Sequence, residues 1–449
     1  MASEIRVDKI NSLSGVGTVT LSPTGVDISG ITTAATLKAT TGIVTTLTTN
    51  TLTANSTTKV GSGVTLSPDG DVFVTGVTTS TTVQVGAAVT ISESGIEASG
   101  IGITVANING GAVSGRRNMI INGDQRIAQR GTTAKLQATT TASYKCVDRF
   151  KTDIDGSGGG NFFHGQTGAG SSITADVPTG QGFTHSSKIT VNTSASQPTS
   201  ESNHSQIYTM LEKQDVTHLE WGTSAAKTCT LSFWVKGSVT GTYALWFGIY
   251  TGTTQYYWTN YTIDSANTWE KKVITVTGPT SGGVVSGTID SGLRIEWTLG
   301  VGSDAETGTL REWTTSSTFR TAPGSVYLNE NAGATWLMTG AQFEVGSQAT
   351  AFEHRSFGDE LALCQRYYFG GGNYVGNSFF GMNYSTNNQM VNIPHPVTMR
   401  TSPTVADPTV VGGGTYYSTY TGQIQTQYYI TGDQSNYIAP TYIDISAEL

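Results

Sequence analysis

Charge is scarce in this chain. Only 12% of its 449 residues are Asp, Glu, Lys or Arg, about half the usual share of roughly 25%. The 24 Lys and Arg against 32 Asp and Glu leave a net charge of −8. A nucleic-acid binder needs clustered cations to displace counterions from phosphates, so this balance argues against nucleic acid as a partner. Cysteine is nearly absent. Cys146, Cys229 and Cys364 are odd in number and far apart, with no CxxC pair. A zinc ribbon or dithiol motif is thereby excluded, and three free thiols suit synthesis in a reducing cytoplasm. No apolar run reaches the roughly 20 residues of a membrane span. The stretch MASEIRVDKINSLSG mixes charged and apolar residues, so neither membrane insertion nor a secretory leader is expected.

What is present is glycine, 55 of them, and aromatics: 8 Trp, 19 Tyr and 14 Phe. Disordered chains are rich in charge and poor in rings, so the composition speaks for a folded chain. Thr, Val, Ile and aromatic residues suit pleated surfaces, and the expected class is all-β.

Residues 1–115 carry an irregular repeat. VGTVTLSPTGVDISGITT starts at Val16, VGSGVTLSPDGDVFVTGVTT at Val60 and VGAAVTISESGIEASGIGI at Val85. Each has a short β-like run, a turn with Gly25, Gly70 or Gly95, and a second run ending at Gly30, Gly76 or Gly100. A Thr-rich insert, TLKATTGIVTTLTTNTLTAN, separates the first two copies. Hairpins with such small apolar faces need neighbouring repeats or other chains to bury them, which predicts a multi-chain fibrous shaft.

From Gly110-Gly111 the character changes. TCTLSFWVKG, YALWFGIY, WEKKVITVTG, LRIEWTLG and TWLMTGAQFEVG read as strands between polar turns, the pattern of a β-sandwich or jelly roll. A short apolar run, ELALCQRYY, follows. Then comes a Tyr-, Asn- and Gly-rich tail with the strand-like GQIQTQYYITG and TYIDISAEL.

Few residues suggest catalysis. Cys364 as a nucleophile requires a base such as His354 or His395, but it stands three residues from Leu361, the spacing of a packed residue on one helical turn. Glu201, Glu212, Asp215, Glu220, Glu296 and Glu312 form no motif for glycoside hydrolysis. DIDGSGGG, Asp153–Gly160, begins like a calcium loop but lacks the closing Glu. The glycine clusters at 158–160, 370–372 and 412–414 lack the Lys-Ser/Thr of a phosphate loop. No catalytic residue, metal or cofactor is expected.

The aromatics say more. Alternation sends Leu231, Phe233 and Val235 to one side of a strand and Trp234 to the other. It likewise groups Tyr243, Leu245, Phe247 and Ile249 against Trp246 and Tyr250. QYYWTNY adds Tyr256, Tyr257, Trp258 and Tyr261. Flat rings beside amides suit sugars, whose C–H faces stack while hydroxyls find polar partners. Trp234, Trp246, Tyr250, Tyr257 and Trp258 are the candidate sugar-facing residues. The competing reading packs this face against another sheet or subunit.

AQFEVGSQATAFEHRSFGDELALCQRYY, Ala341 to Tyr368, resembles a junction found in tailed-phage tail fibre proteins. There a jelly roll ends and leads into a Cys-Gln-Arg-Tyr-Tyr segment. RNMIINGDQRIAQRG, followed by Asp148-Arg149-Phe150, is similar to that domain's start, and MRTSPTV, Met399 to Val405, to a motif of the region beyond. The repeats are similar to shaft segments of phage virion proteins. The resemblance implies a homotrimeric virion fibre: residues 1–115 as attachment segment and β shaft, 116–358 as a carbohydrate-binding-like jelly roll, 359–449 as a C-terminal β domain. It implies tail or baseplate proteins as partners at the N-terminal end and host surface polysaccharide at the other. A capsule depolymerase and a purely structural fibre or decoration protein are the alternatives.

Overall fold

A computed structural model describes residues 116–449, apart from 139–141, 156–159, 169–170, 172, 251–252, 284–288, 307–308, 371–381, 386–387, 406–414 and 432–443, together with the backbone of short strands between residues 10 and 98. The Thr-rich insert, half of the calcium-like stretch and most of the glycine clusters lie outside the described residues.

Two compact units divide the chain, Met1–Ile103 and Thr104–Leu449. The first contains three three-stranded antiparallel sheets. They are β1 (Ile10–Asn11), β2 (Thr18–Ser22) and β3 (Gly25–Ser29); β4 (Thr58–Val60), β5 (Val64–Leu66) and β6 (Val72–Val74); β7 (Thr82–Val85), β8 (Val89–Ser92) and β9 (Gly95–Ala98). The two runs of each sequence repeat thus pair as a hairpin, and one further strand precedes each. Register sets apolar positions opposite one another: Val19 with Ile28 and Leu21 with Val26, Leu66 with Val72, Ile91 with Ile96.

The second unit begins with β10 (Lys135–Gln137), β11 (Ser143–Tyr144), β12 (Lys151–Asp155), β13 (Asn161–Gly168), β14 (His185–Thr193), β15 (His204–Glu212), β16 (Thr228–Gly237), β17 (Gly241–Ile249), β18 (Gln255–Ile263), β19 (Glu270–Thr277), β20 (Ser291–Val301), β21 (Trp313–Thr314) and β22 (Thr335–Val345). Sheet one runs β10-β13-β14-β22-β16-β19 and sheet two β11-β12-β15-β20-β17-β18-β21. All pairings are antiparallel, and the fold is an all-β sandwich.

Alternation builds its core. Leu231, Phe233 and Val235 of sheet one meet Leu245, Phe247, Ile295 and Trp297 of sheet two in one buried cluster. Phe233 packs edge-on against Trp297 at 5.6 Å and against Tyr261 at 5.2 Å. The indole N–H of Trp336 donates to the Tyr261 hydroxyl at 3.0 Å, a polar tie across the core. β22 changes phase on the way. Trp336 and Met338 face inward, and so do Ala341 and Phe343. The switch is a bulge: Ser232 pairs with Gln342 but Trp234 with Thr339, so two residues of β22 oppose Phe233. Gly340 absorbs it at φ 64, a left-handed conformation glycine adopts without steric cost.

A short helix α1 (Lys213–Val216) follows β15, and α2 (Phe357–Gln365) follows the sandwich. The Ser356 hydroxyl caps α2 by accepting from the Asp359 N–H at 3.1 Å. Beyond lie β23 (Tyr368–Gly370), β24 (Met382–Ser385), β25 (Asn388–Pro394), β26 (Thr404–Val405), β27 (Thr415–Thr421), β28 (Gln425–Thr431) and β29 (Asp444–Ser446). They form sheets β23-β29-β26 and β24-β25-β28-β27 over a second core of Val391, Ile393, Met399, Tyr428, Ile430 and Ile445.

The three motifs that resemble tail fibre sequences meet in space. Cys364 of α2 is fully buried with Ile121, Ile127 and Tyr367. The Arg130 guanidinium lies 3.4 Å from the Tyr368 ring centre and Arg149 lies 3.5 Å from that of Tyr367. Both arginines pair with Glu448. Arg366 grips Glu212 with two bonds of 2.9 and 3.0 Å, and Arg400 donates to the carbonyls of Ala447, Glu448 and Ile289. ELALCQRYY is therefore a joint: its helix supplies the packing, Tyr367 covers the buried Arg149 and Tyr368 the half-buried Arg130.

Candidate functional site

The five candidate residues do not share one surface. β16 and β17 are consecutive in the chain but belong to opposite sheets. Trp234 lies on the outward side of sheet one, Trp246 on the outward side of sheet two, and the expected common platform does not exist. Tyr257 alternates with Trp258 and turns into the core beside Phe247. Trp246 and Trp258 do point away from the core, but they are 3% and 1% exposed. They form a buried layer, not an open platform. Their rings are 5.1 Å apart, and Phe319 closes over Trp258 at 5.0 Å. Gly248 makes this layer possible. A Cβ there would come within 2.3 Å of the Trp246 ring, so only glycine lets that ring fold back along the strand. Tyr250 remains half-buried at the rim, as does Tyr256, 5.5 Å from Trp246.

Phe319 reaches this face on the segment between β20 and β22. The Arg311 N–H donates to the Trp258 carbonyl at 2.7 Å, and the Val326 N–H to that of Thr242 at 2.8 Å. Phe319 also stacks on His204 of β15 at 4.9 Å.

Beside the rings lies a charged group that sequence reasoning missed as a unit. Arg294 and Glu296 of β20 form an ion pair, with Glu296 fully buried. The Arg294 guanidinium sits 3.5 Å above the Tyr208 ring and 5.0 Å from Trp246. His204 approaches Asp153 of β12 at 3.5 Å. With its amide oxygen turned to the cations, Gln206 accepts from Arg294 at 2.7 Å and from His204 at 3.1 Å. Burial lifts the Glu296 carboxyl, with Arg294 opposing. Burial alone would lower His204, but Asp153 and Glu296 outweigh it and hold the imidazole above its usual value. Burial would raise Asp153, and the bond from His204 reverses that. The signal was in LRIEWTLG. Alternation there puts Leu293, Ile295 and Trp297 inside and Arg294, Glu296 and Thr298 outside on the sheet that carries Trp246.

Buried polar atoms on this face without a hydrogen-bond partner among the described residues include Trp258 Nε1, Arg294 Nε, Asp153 Oδ1 and Thr298 Oγ1. Most buried polar groups are satisfied, so such a group of orphans on one face calls for an explanation.

Cys364, His354 and His395 are tied into the fold. Burial pushes the Cys364 thiol well above its usual range. His354 packs against Phe183 and Phe352, and His395 bonds the Gln423 carbonyl and the Thr426 hydroxyl. Among the described residues no group of three His, Cys, Asp or Glu is placed to hold a metal, and no helix is long and apolar enough to cross a membrane.

No family model matches the sequence, and no curated protein matches it. Solved structures do. One is the enzymatically active domain of tailspike protein 4 from bacteriophage CBA120, with 13% identity and a TM-score of 0.27, covering 51% of this chain and 21% of that one. Another is the CBM22-1 xylan-binding domain from Paenibacillus barcinonensis, with 13% identity and a TM-score of 0.23, covering 53% and 100%. A third is the family 11 carbohydrate-binding module of a cellulosomal cellulase from Clostridium thermocellum, with 11% identity and a TM-score of 0.23, covering 50% and 99%. The chain thus spans only 21% of the tailspike structure's own length. Likenesses this weak leave the functional reading to the chain's own residues.

Proposed function

We propose that the chain is a virion fibre protein that attaches a phage to glycans on its host's surface, binding them on the outward face of sheet two. The observation that carries this reading is the rim of that face, where the half-buried rings of Tyr250 and Tyr256 stand 6.3 Å apart beside the ion-paired Arg294 and Glu296. A polyhydroxylated ligand offers hydroxyls to polar groups at that rim and C–H surface to its rings. The tail fibre resemblance of the joint motifs supplies the biological setting. In this reading the chain binds and does not cleave. Its repeats associate as a trimeric shaft, and three weak sites per fibre gain avidity on the order of 10²–10⁴.

Glycan-array binding of the full chain tests it. Tyr256→Ala should weaken binding by about 1–3 kcal/mol, by analogy with ring stacking on other flat ligands, while the melting temperature stays near that of the wild type. Binding that Tyr256→Ala leaves unchanged removes this face from the reading. Light scattering should return three chains per particle. New reducing ends released from host polysaccharide would instead mark a depolymerase.

A further inference from the structure

A separate cleft opens at the edge of the sandwich, where β18 and β21 of sheet two diverge from β19 of sheet one. Its volume is about 560 Å³, within the range of small-ligand sites. Tyr257 and Trp313 line it, 5.4 Å apart, on the core side of strands whose outward side carries Tyr256 and Trp258. The Trp313 N–H donates to the Thr277 carbonyl at 2.8 Å, which fixes the indole. At the rim stand Arg311 and Glu312, both exposed, and neither has an ion-pair partner among the described residues. Arg311 is held at φ 65, a conformation that costs a non-glycine residue energy. Gln255 completes the wall. Its amide N–H donates to the Ser281 carbonyl at 3.0 Å, and its Oε1 is buried without a partner.

These groups define a ligand by complement. An anion drawn to Arg311 meets Glu312, and a cation drawn to Glu312 meets Arg311. Neighbouring hydroxyls satisfy both, since each donates one hydrogen bond and accepts others. The two rings offer an apolar floor. We propose that this cleft is a second saccharide subsite, for a single neutral pyranose unit bound through adjacent hydroxyls between Arg311 and Glu312.

Saturation-transfer NMR on the full chain tests it, with the methyl pyranosides of glucose, galactose and mannose, and methyl glucuronide as the charged probe. At least one neutral pyranoside should receive saturation. Its binding should weaken threefold or more in Arg311→Gln and in Glu312→Gln, and exceed that of the glucuronide. Both substituted positions are exposed, so unchanged melting temperatures should accompany the loss. No transfer to any neutral probe, transfer that either variant leaves intact, or equal binding of the glucuronide overturns the subsite. None of these outcomes touches array binding that depends on Tyr256, so the two sites stand or fall separately.

Discussion

Arg149 and Glu448 form a buried ion pair although 299 residues separate them. Arg149 is 1% exposed, donates to the Met210 carbonyl at 2.6 Å and lies under the Tyr367 ring. Removing one member of a buried pair leaves the other charge uncompensated, which typically costs about 3–5 kcal/mol. Glu448→Ala should therefore lower stability to urea by about that amount. Asp264→Ala breaks a pair with Lys272 in which Asp264 is largely exposed, and should cost less than about 1 kcal/mol. Equal losses in the two variants would show that the joint is not under this electrostatic control.

Asp148 sits in the same joint, bonded to Gln129 and Arg130. Burial lifts its carboxyl to about 7, with Arg130 only partly opposing. In the unfolded chain it titrates near 3.9. Between those values the folded state holds a proton that the unfolded state has lost. Stability from this group is full below about pH 4 and is lost as pH rises to about 7. Asp148→Asn stays neutral throughout, so the variant should gain on the wild type in urea unfolding between pH 5 and pH 8. A difference that stays flat over this interval refutes the assignment.

Trp246 belongs to a packed layer, and its truncation should act on stability first. Trp246→Ala should cost about 3–5 kcal/mol. A melting temperature within a degree or two of the wild type would mean that the ring is accessible after all.

Much of the architecture was legible in the sequence because period-two alternation is written residue by residue. LSFWVK and YALWFGIY gave the inward residues correctly. The repeats at Val16, Val60 and Val85 marked the three hairpins. Alternation says which side of a strand a residue takes, but not which sheet the strand joins. That is why Trp234 and Trp246 were grouped and then parted by a three-residue turn that crosses the sandwich. Nor does it say what covers an outward face: Phe319 arrives from 61 positions beyond Trp258 (319 − 258). The phase change in TWLMTGAQFEVG was not read, because Trp336, Leu337 and Met338 run together and hide the alternation before Gly340. The charged group of Asp153, His204, Arg294 and Glu296 is assembled from three strands far apart in the chain, and only the paired sheet brings it together.

The joint also has a timetable. Glu448 is made 299 residues after Arg149. At roughly 5–20 residues per second, a ribosome needs about 15–60 s to cover that distance. For that interval each nascent copy carries Arg149 without its carboxylate, while the sandwich strands that will surround it are already emerging. The body can begin to pack early, but the charge buried within it is neutralised last.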